Sequence, residues 1–553
     1  MQDLQSKIKN PQFYYDALLV GFFSFFLFSF QLGNRPFATP DEARYVEIPR
    51  EMLATGDWIT PRLNGVKYFE KPPFLYWLQA INLKIFGLQE GKMRLWIVFF
   101  ATLGCIATYC FGQSVFNRST GLIASGILAT CCLYFSLARL IILDMPLSIQ
   151  ITLSLYCFYK GFYSLSSLQR RFWFYGFSTF CALGVLTKGI IALALSGPII
   201  FLWLTWTRQW NRIFPLYIFS CLGIFLAIAA PWHILVSLKN PEFPYKYFIV
   251  EHFLRYTTTI HSRYQPFWFF IPILLTGLLP WTSFLFESLK NFYFQKKEPT
   301  LSFLWIWASW IFVFFSISHS KLIPYILSMF PPLALVIGHT LHHILDKNKN
   351  SYIFYHHSIF MVFLGLGGFV IPFYFPDIID EKISLIPYIL VLSSVFVGHG
   401  ILVFMMAKRN HIQKMIYCIG STALLIAIIL CYASPYIQRP SLKSLAQMIA
   451  KERKDNEPII SFFTYFQDLP LYSQQIVTVA GSKGELEFGT TVENIQWIID
   501  IEEFINYWQK SQKNNQKVWA VGRLNDIEFL KTQYPCFSYT VSKTDYPYIV
   551  FTP

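Results

Sequence analysis

The chain has 553 residues, of which 54% are hydrophobic and only 14% are charged. With 57 Phe, 32 Tyr and 16 Trp it is too apolar and too aromatic for a soluble globular protein, and it is predicted to be a polytopic α-helical membrane protein. The formal net charge of +14 does not indicate a nucleic-acid partner, because the basic residues are spread over short loops and are not gathered into one face or tail.

Apolar stretches long enough to cross a bilayer recur from about residue 12 to residue 433. A spanning helix needs roughly 20 apolar residues to cross about 30 Å of hydrocarbon. The first stretch, residues 18–30, reads as an anchor and not as a removable signal. The pattern predicts about thirteen spans, near residues 14–33, 93–113, 120–138, 145–164, 173–187, 189–206, 214–238, 265–285, 300–318, 322–344, 353–375, 384–406 and 413–433. The pair at 173–206 is interrupted by Thr187, Lys188 and Gly189, which could instead mark a broken or re-entrant helix.

Basic residues recur at alternate connections between these spans. Short loops rich in Lys and Arg stay cytoplasmic, whereas a random scatter of charge would not alternate along the whole chain. The alternation predicts a cytoplasmic N-terminus, and the odd span count then places the tail on the outer, periplasmic side of the membrane. The basic residues of these loops are Lys7, Lys9, Arg118, Arg170, Arg171, Arg208, Arg212, Lys290, Lys296, Lys297, Lys347, Lys349, Lys408, Arg409 and Lys414.

The predicted organisation is a transmembrane domain over residues 1–433 and a periplasmic α/β domain over residues 434–553. Two long periplasmic loops, residues 34–92 and 239–264, belong to the first domain. Within the first loop, residues 74–86 are apolar but too short to span, which predicts an interfacial helix. The tail shows strand patterns near 458–465, 495–499, 518–521 and 546–552, and helical patterns at 441–453, 500–512 and 525–533.

Acidic residues occur where two of the spans meet the membrane boundary. Asp41 and Glu42, followed by Arg44, lie just outside the first span, and Asp144 lies between the third and fourth. Ionisable residues at a membrane boundary often mark a substrate or ion path. The alternative is that Asp41, after Pro40, and Asp144 cap helices. The topology places both sites at one boundary, which favours a shared site.

Cationic and phenolic residues recur in the loops predicted on the same side. Arg forks and Lys ammonium groups stabilise phosphoryl oxygens, so these residues predict a phosphate ligand; contact with lipid headgroups is the alternative for any one of them. Glu70 and His252 are of types that ligate divalent cations, although two ligands far apart in sequence are a weak signal. The residues concerned are Glu70, Lys71, Glu251, His252, Arg255, His261, Arg263, His319, Lys321 and Tyr325.

The run from Arg35 to Met52, continuing through Gly56–Gly65 to Tyr68–Pro73, resembles the bacterial lipid A aminoarabinose transferases. These enzymes belong to the protein-mannosyltransferase-like group with the C-type glycosyltransferase fold. The resemblance extends to Asp144 in Leu-Asp-Met-Pro, to Glu251-His252 with Arg255, and to Ser320-Lys321 with Tyr325.

The resemblance implies an inverting transfer of 4-amino-4-deoxy-L-arabinose from undecaprenyl phosphate to a lipid A phosphate. Such a transfer lowers the negative surface charge and protects against cationic peptides and polymyxin. Related members use hexosamines or mannose, and some modify proteins, so these alternatives stay open. A lipid flippase or transporter is the competing class. It is disfavoured because the polar residues cluster at one boundary and not at mid-membrane, and because no internal repeat is evident.

The resemblance also implies roles for individual residues. Asp41 would act as general base towards a hydroxyl acceptor, or would orient an acceptor that is already ionised. The remaining assignments are Asp144 and Glu42 beside Asp41 in catalysis; Lys71, Arg255, Tyr325 and Lys321 on the donor phosphate; Arg44, Tyr45 and Tyr68 on the substrate; and Glu70 with His252 on a divalent metal ion, if one is used.

Overall fold

The computed structural model describes residues 11–215, 217–258, 264–295, 298–347, 352–374, 385–535 and 537–553. Lys7, Lys9, His261, Arg263, Lys296, Lys297 and Lys349, all named above, lie outside these ranges. The helices are α1 (Pro11–Ser29), α2 (Asp41–Thr55), α3 (Phe74–Phe86), α4 (Glu90–Met93), α5 (Leu95–Val115), α6 (Arg118–Thr130), α7 (Cys132–Leu137), α8 (Asp144–Tyr163), α9 (Ser167–Lys188), α10 (Ile191–Thr207), α11 (Ile218–Lys239), α12 (Arg255–Thr257), α13 (Phe270–Gly277), α14 (Thr282–Gln295), α15 (Pro299–Ile317), α16 (Phe330–Lys347), α17 (Tyr352–Tyr374), α18 (Ile386–Lys408), α19 (Ile412–Ile437), α20 (Lys443–Glu452), α21 (Asp468–Ser473), α22 (Glu487–Val492), α23 (Ile501–Lys513) and α24 (Leu524–Gln533). A π-helix covers Tyr245–Leu254, and a 3-10 helix covers Ile323–Met329.

The chain divides into two compact units. The bundle unit comprises Met1–Leu32, Arg94–His233 and Phe248–Ile437, and the tail unit comprises Gly33–Met93, Ile234–Tyr247 and Gln438–Pro553. The sequence grouped residues 34–92 with the spans, but in the structure they pack with the tail. Polar contacts hold them there. Asn64 exchanges two hydrogen bonds of 2.9 Å with the backbone of Val477, and Arg62 pairs with Glu493 at 2.9 Å.

The bundle unit is built from apolar helices. Each of the thirteen predicted segments overlaps a helix, but a count of thirteen spans is not confirmed. Within the described residues eight helices are long and apolar enough to cross a membrane, or nine if α13 and α14, bent by 106°, form one span. The eight are Pro11–Ser29, Leu95–Val115, Ile218–Lys239, Pro299–Ile317, Ile323–Lys347, Tyr352–Tyr374, Ile386–Lys408 and Ile412–Ile437.

The interruption predicted near residue 188 is a break between two helices. Helix α9 ends at Lys188, and Gly189 adopts a φ of +86°, a conformation that favours glycine. Helix α10 then carries Trp203, which is fully buried. The Trp203 ring lies 4.9 Å from that of Phe162 and 5.3 Å from that of Phe303. Aromatic interlocking of this kind accounts for part of the high Phe and Trp content.

Several polar side chains inside the bundle unit are hydrogen-bonded to each other. Asp16 accepts from Arg118 Nε at 2.6 Å and from the Tyr109 hydroxyl at 3.0 Å. His357 and His399 share a contact of 2.8 Å between their Nε2 atoms. Such bonds connect α1 with α5 and α6, and α17 with α18, because no water is present in a bilayer core to satisfy these groups.

The tail unit contains a two-stranded ribbon and a six-stranded sheet. The ribbon pairs β1 (Arg62–Leu63) with β2 (Val66–Lys67). The sheet has the order β5-β4-β3-β6-β8-β7, with the first four strands in that order parallel and the last two antiparallel. Its strands are β3 (Ile459–Phe463), β4 (Thr478–Gly481), β5 (Ile498–Ile499), β6 (Trp519–Arg523), β7 (Thr540–Asp545) and β8 (Tyr548–Thr552).

The small α/β domain predicted for the tail is confirmed, and its core is aromatic. Phe504 and Trp508 of α23 pack on Phe462 and Phe551 of the sheet. The sequence prediction omitted β4 and β7. Strand β4 is only four residues long, and the side chains of β7 are exposed throughout, so neither shows the apolar alternation that identifies a half-buried strand.

Two glutamates are buried one helical turn apart on α2. Glu47 is paired with Arg50, whereas Glu51 Oε2 accepts the backbone N–H of Gly65 at 2.8 Å, and its Oε1 has no hydrogen-bond partner among the described residues. Burial, followed by the charge of Glu47, raises the pKa of Glu51 from 4.5 to about 8. Glu51 is therefore protonated in the folded tail unit at neutral pH.

This protonation predicts a pH-dependent stability. Because the folded pKa of Glu51 is raised, its contribution to stability is full below the unfolded pKa of 4.5 and is lost as the pH rises through about 8. We expect the wild-type thermal midpoint to fall by several degrees between pH 5 and pH 8.5, since about 1 kcal/mol shifts a unit of this size by roughly 2–4 °C. In Glu51→Gln the fall should be smaller. The exposed Glu452→Gln is the control, and identical pH profiles for wild type and Glu51→Gln would contradict the assignment.

Candidate active site

Helix α2 begins at Asp41, so this acidic residue lies at a helix N-terminus. The N-cap residue is Pro40, and it makes no side-chain capping bond. Asp41 is therefore the first helical residue and does not act as the N-cap. Its side chain is 56% exposed, and its Oδ1 lies 3.4 Å from Arg44 Nη1. An exposed carboxylate held loosely by one cation is accessible to a substrate.

Glu42 differs from its neighbour Asp41 in burial and in its hydrogen-bond partners. Its carboxylate is buried and accepts from Arg35 Nη1 at 2.7 Å and from the backbone N–H of Ala38 at 2.8 Å. Arg35 also donates to Gln438 at 3.0 Å. These bonds attach the start of α2 to the segment before it and to the first residue of the tail. The geometry of Glu42 is that of an anchor for the helix that presents Asp41.

Arg44, one turn after Asp41, is buried and pairs with an acid from the tail. Its Nε lies 2.7 Å from Glu485 Oε2. Burial lowers the pKa of Arg44, but the charge of Glu485, with Tyr68, Asp41 and Glu70, outweighs it and holds this pKa well above the ordinary value. Burial also raises the pKa of Glu485, against the lowering effect of Arg44. The three carboxylates around one guanidinium make this region acidic.

Buried tyrosine hydroxyls lie near Arg44. Tyr45 stacks on Tyr76 with ring centroids 5.9 Å apart. The hydroxyls of Tyr68 and Tyr76, and both amide atoms of Gln79, are buried with no hydrogen-bond partner among the described residues. Buried polar atoms are rarely left unsatisfied, so these groups are suited to bonds with water or with a hydroxylated ligand. The structure thus brings Asp41, Arg44, Tyr45 and Tyr68 together in the tail unit.

Glu70 and Lys71 follow Tyr68 in the same unit. Lys71 Nζ donates to the backbone carbonyl of Glu70 at 2.7 Å, immediately before Pro72 and Pro73. Burial raises the pKa of Tyr68 well above its ordinary value against the lowering effect of Arg44, and the charge of the nearby Glu70 carboxylate adds to the rise. The double proline limits the backbone freedom of this segment and so fixes the backbone position from which the Lys71 side chain extends.

In the bundle unit, Asp144 is the first residue of α8 and its neighbour Leu143 is the N-cap. Asp144 Oδ1 accepts from Lys188 Nζ at 2.6 Å, and both side chains are about one-eighth exposed. Lys188 Nζ also lies 4.7 Å from the centre of the Tyr325 ring. An ammonium group between a carboxylate and an aromatic face is strongly fixed, so Asp144, Lys188 and Tyr325 form one cluster.

His252 lies near the end of the π-helix, and Arg255 follows directly after it. Arg255 Nη1 donates to the buried Glu251 Oε2 at 3.0 Å. A π-helix is rare and occurs frequently at functional sites, because its extra residue per turn redirects side chains. The pairing orients the guanidinium, a group whose planar geometry suits phosphoryl oxygens.

Lys321 is placed differently from the other predicted phosphate ligands. It is buried, and its Nζ donates to the carbonyls of Gln265, at 2.9 Å, and Ser318. Burial lowers the pKa of Lys321. The residue lines a cavity of about 310 Å³ beside Tyr264 and Ser316. With two of its three donors used by the backbone, Lys321 mainly holds the turn before the 3-10 helix.

The two predicted metal ligands belong to different units. Glu70 belongs to the tail unit and His252 to the bundle unit. In the described part of the chain, no group of three or more His, Cys, Asp or Glu side chains is arranged to hold a metal ion. A divalent cation therefore stays a prediction, and no step of the reaction is assigned to one.

Four residues of these clusters were missed by the sequence analysis as site residues. No sequence motif marks Glu485, Tyr76, Gln79 or Lys188. Lys188 lies at the predicted helix break, and Tyr76 and Gln79 lie within the predicted interfacial helix. Glu485 is 441 positions from its partner Arg44. No local pattern reports such a pair, and only covariation between the two positions in an alignment could have found it.

Two family models match the chain. Residues 19–245 match the dolichyl-phosphate-mannose-protein mannosyltransferase model, and residues 445–544 match the aminoarabinose transferase C-terminal domain. Undecaprenyl phosphate-alpha-4-amino-4-deoxy-L-arabinose arabinosyl transferases from Erwinia tasmaniensis and Yersinia enterocolitica are 33% and 34% identical, each over 58% of this chain. The matched regions span 59% and 58% of those relatives, less than two thirds of their length.

The solved structures extend the similarity to the whole fold. ArnT from Cupriavidus metallidurans, bound to undecaprenyl phosphate, superposes with a TM-score of 0.83 at 28% identity, over 98% of this chain and 97% of ArnT. The archaeal oligosaccharyltransferase AglB from Archaeoglobus fulgidus, at 12% identity and a TM-score of 0.50, shares the fold alone. The resemblance to the aminoarabinose transferases is confirmed, and the chain has their fold.

Proposed function

We propose that this relative of the aminoarabinose transferases is itself an inverting glycosyltransferase. It moves 4-amino-4-deoxy-L-arabinose from undecaprenyl phosphate to a lipid A phosphate. The observation that carries the proposal is the full-length similarity to ArnT in its undecaprenyl phosphate complex. The buried, acidic and hydroxyl-rich surroundings of Arg44 in the tail unit add chemical support, because they suit a sugar that carries an ammonium group.

In the proposed reaction an acceptor oxygen attacks the anomeric carbon, and the bond from that carbon to the lipid phosphate oxygen breaks. The electron pair leaves with undecaprenyl phosphate. A phosphate acceptor is already ionised, so Asp41 orients the acceptor or the sugar; towards a hydroxyl it would remove the proton. Lys71, Arg255 and Tyr325 stabilise the departing phosphate. Asp144 acts with Lys188, while Glu42 and Lys321 position their neighbours.

The proposed acceptor and sugar are tested together by mass spectrometry of lipid A. Lipid A from cells that carry the gene should gain the mass of a pentosamine, and lipid A from a deletion strain should not. Complementation with the wild-type gene should restore the addition. A hexose or hexosamine would point to another donor, and unmodified lipid A together with a glycosylated protein would point to a protein acceptor. Either result overturns the proposed substrates.

The proposed orientation is a cytoplasmic N-terminus and a periplasmic tail in the inner membrane. The alternation of basic loops supports it. Alkaline phosphatase fused after Pro553 should be active, because that enzyme needs the oxidising periplasm. The same reporter fused after Lys408, in a basic loop, should be inactive. Activity only at Lys408 would reverse the orientation and, with it, the side of the membrane assigned to Asp41.

A further inference from the structure

A second polar cavity lies in the bundle unit, at the other end of the segment Ile323–Lys347 from Tyr325. Helices α14, α15 and α16 enclose about 90 Å³, several times the roughly 10–15 Å³ that one water needs on the same measure. His339, Thr340, His343 and Lys347 of α16 line it together with Ser288 and Asn291 of α14. Lys347 is the last residue of the apolar segment Ile323–Lys347, so the cavity opens at the end of a span, where headgroups lie.

Every titratable group of the cavity wall is basic. The wall contains two histidines and a lysine, and no Asp or Glu is among the described residues that line it. Two acids lie near the wall without lining it: Glu287 of α14 accepts from the Tyr352 hydroxyl at 3.1 Å, and Asp346 of α16 precedes Lys347 and acts electrostatically on His343. A wall with an ammonium group and no carboxylate repels a metal ion and attracts an anion.

One of the two lining histidines also has an unsatisfied ring nitrogen. The His339 imidazole stacks on Phe116 with centroids 4.2 Å apart, and the His343 ring meets it edge-on at 4.9 Å. His339 Nδ1 is buried and has no hydrogen-bond partner in the part of the chain that the structure describes. Opposite, Ser288 bonds to Thr340 at 3.0 Å and joins the two helices at the wall. A lining histidine with an unsatisfied ring nitrogen is thus held in place at the wall by aromatic contacts.

We propose that this cavity is a binding site for a phosphate group, distinct from the site of sugar transfer. Its polar wall offers donors from two helices to phosphoryl oxygens, and Trp305 and Ile344 complete it with apolar surface. Basic pockets between spanning helices are suited to anionic lipid headgroups. A phosphodiester headgroup whose acyl chains stay in the bilayer fits the position at a helix end, and free inorganic phosphate shares the same chemistry. The inference does not depend on the proposed transferase activity.

The test is lipid retention by the purified full-length protein. Wild-type protein, reconstituted with phosphatidylethanolamine and phosphatidylglycerol and returned to detergent, should retain phosphatidylglycerol in native mass spectra. The double variant His343→Leu/Lys347→Gln should retain it at least about fivefold less, the effect of losing about one cation contact. Lys347→Arg should retain it. Lys414→Gln, which removes an exposed lysine from another helix, is the matched control and should also retain it.

A second arm distinguishes the two sources of phosphate. Inorganic phosphate is titrated into delipidated wild-type protein, with chloride at equal ionic strength as the reference. A rise of the thermal midpoint that is absent in the double variant, without retained lipid, identifies free phosphate as the occupant and supports the site. Equal lipid retention by wild type and double variant, or no effect of either ligand on wild type, overturns the proposal. Circular dichroism confirms that each variant is folded.

Discussion

Replacing Asp41 with Asn is expected to lower turnover by roughly 10²-fold or more, the scale of loss when the reactants are no longer correctly oriented. The substitution keeps the shape of the side chain and removes its charge. Asp41 is mostly exposed and contacts Arg44 only at 3.4 Å, and surface pairs of this kind contribute about 0–1 kcal/mol to stability. The protein should therefore insert and fold normally. Single-turnover transfer in nanodiscs, per folded molecule, is the measurement.

Glu42→Gln is the matched control for this experiment because it alters the adjacent carboxylate. Glu42 is buried against Arg35, and removing one partner of a buried pair destabilises a protein strongly. We expect Glu42→Gln to reduce the yield and thermal midpoint more than the turnover of the molecules that fold. Near wild-type turnover by Asp41→Asn would reduce Asp41 to a first-turn helix residue.

Asp144→Asn should also lower transfer, because it leaves Lys188 without its carboxylate.

Truncating any one of the three proposed phosphate ligands should lower turnover by roughly 10²-fold or more, as at other preorganised anion sites. The variants are Lys71→Ala, Arg255→Ala and Tyr325→Phe. Hydrogen bonds to the departing phosphate strengthen as its charge grows, so the rate should fall more than donor binding. Arg255→Ala additionally leaves the buried Glu251 without its guanidinium, and its folding must be checked separately.

Lys92→Ala and Tyr245→Phe are the controls for these variants, since both side chains are exposed and have no assigned role. If the three residues only contact lipid headgroups, each substitution should change transfer no more than the controls do, because such contacts are interchangeable and worth about 1 kcal/mol. Single-turnover transfer and donor-lipid binding are measured in matched nanodiscs. A loss confined to insertion or expression would remove these residues from the site.

Much of the secondary structure follows from local pattern. The segment 74–86 forms helix α3 with the predicted bounds, and Pro40 immediately precedes the helix that starts at Asp41. In the tail, α23 begins after Asp500, whose side chain forms a capping box with Glu503. These features depend on neighbours in sequence. The number of spans cannot be predicted from sequence neighbours alone, because short or bent helices such as α6 and the α13–α14 pair do not meet a simple length requirement for a span.

Some residues of the candidate site are likewise recognisable from local sequence, and others are not. The acidic pair at Asp41 and the Lys71-Pro-Pro segment are recognisable in the sequence because they form one compact motif that resembles a known family. The partners Glu485 for Arg44 and Lys188 for Asp144 are not recognisable, since each pair joins elements that only folding brings together. Glu42 shows the reverse case: the sequence makes it the equal of Asp41, and burial against Arg35 separates them.

The sequence by itself therefore determined the membrane class, the α/β tail and the residue types available for phosphate and sugar chemistry, because apolar periodicity and compact motifs are local properties. Only the tertiary structure decided that residues 34–92 pack with the tail, that Lys188 neutralises Asp144, and that the histidines of α16 face a cavity. The physical reason is that burial and charge pairing depend on what lies across a contact, and a chain in its extended order does not specify its contacts.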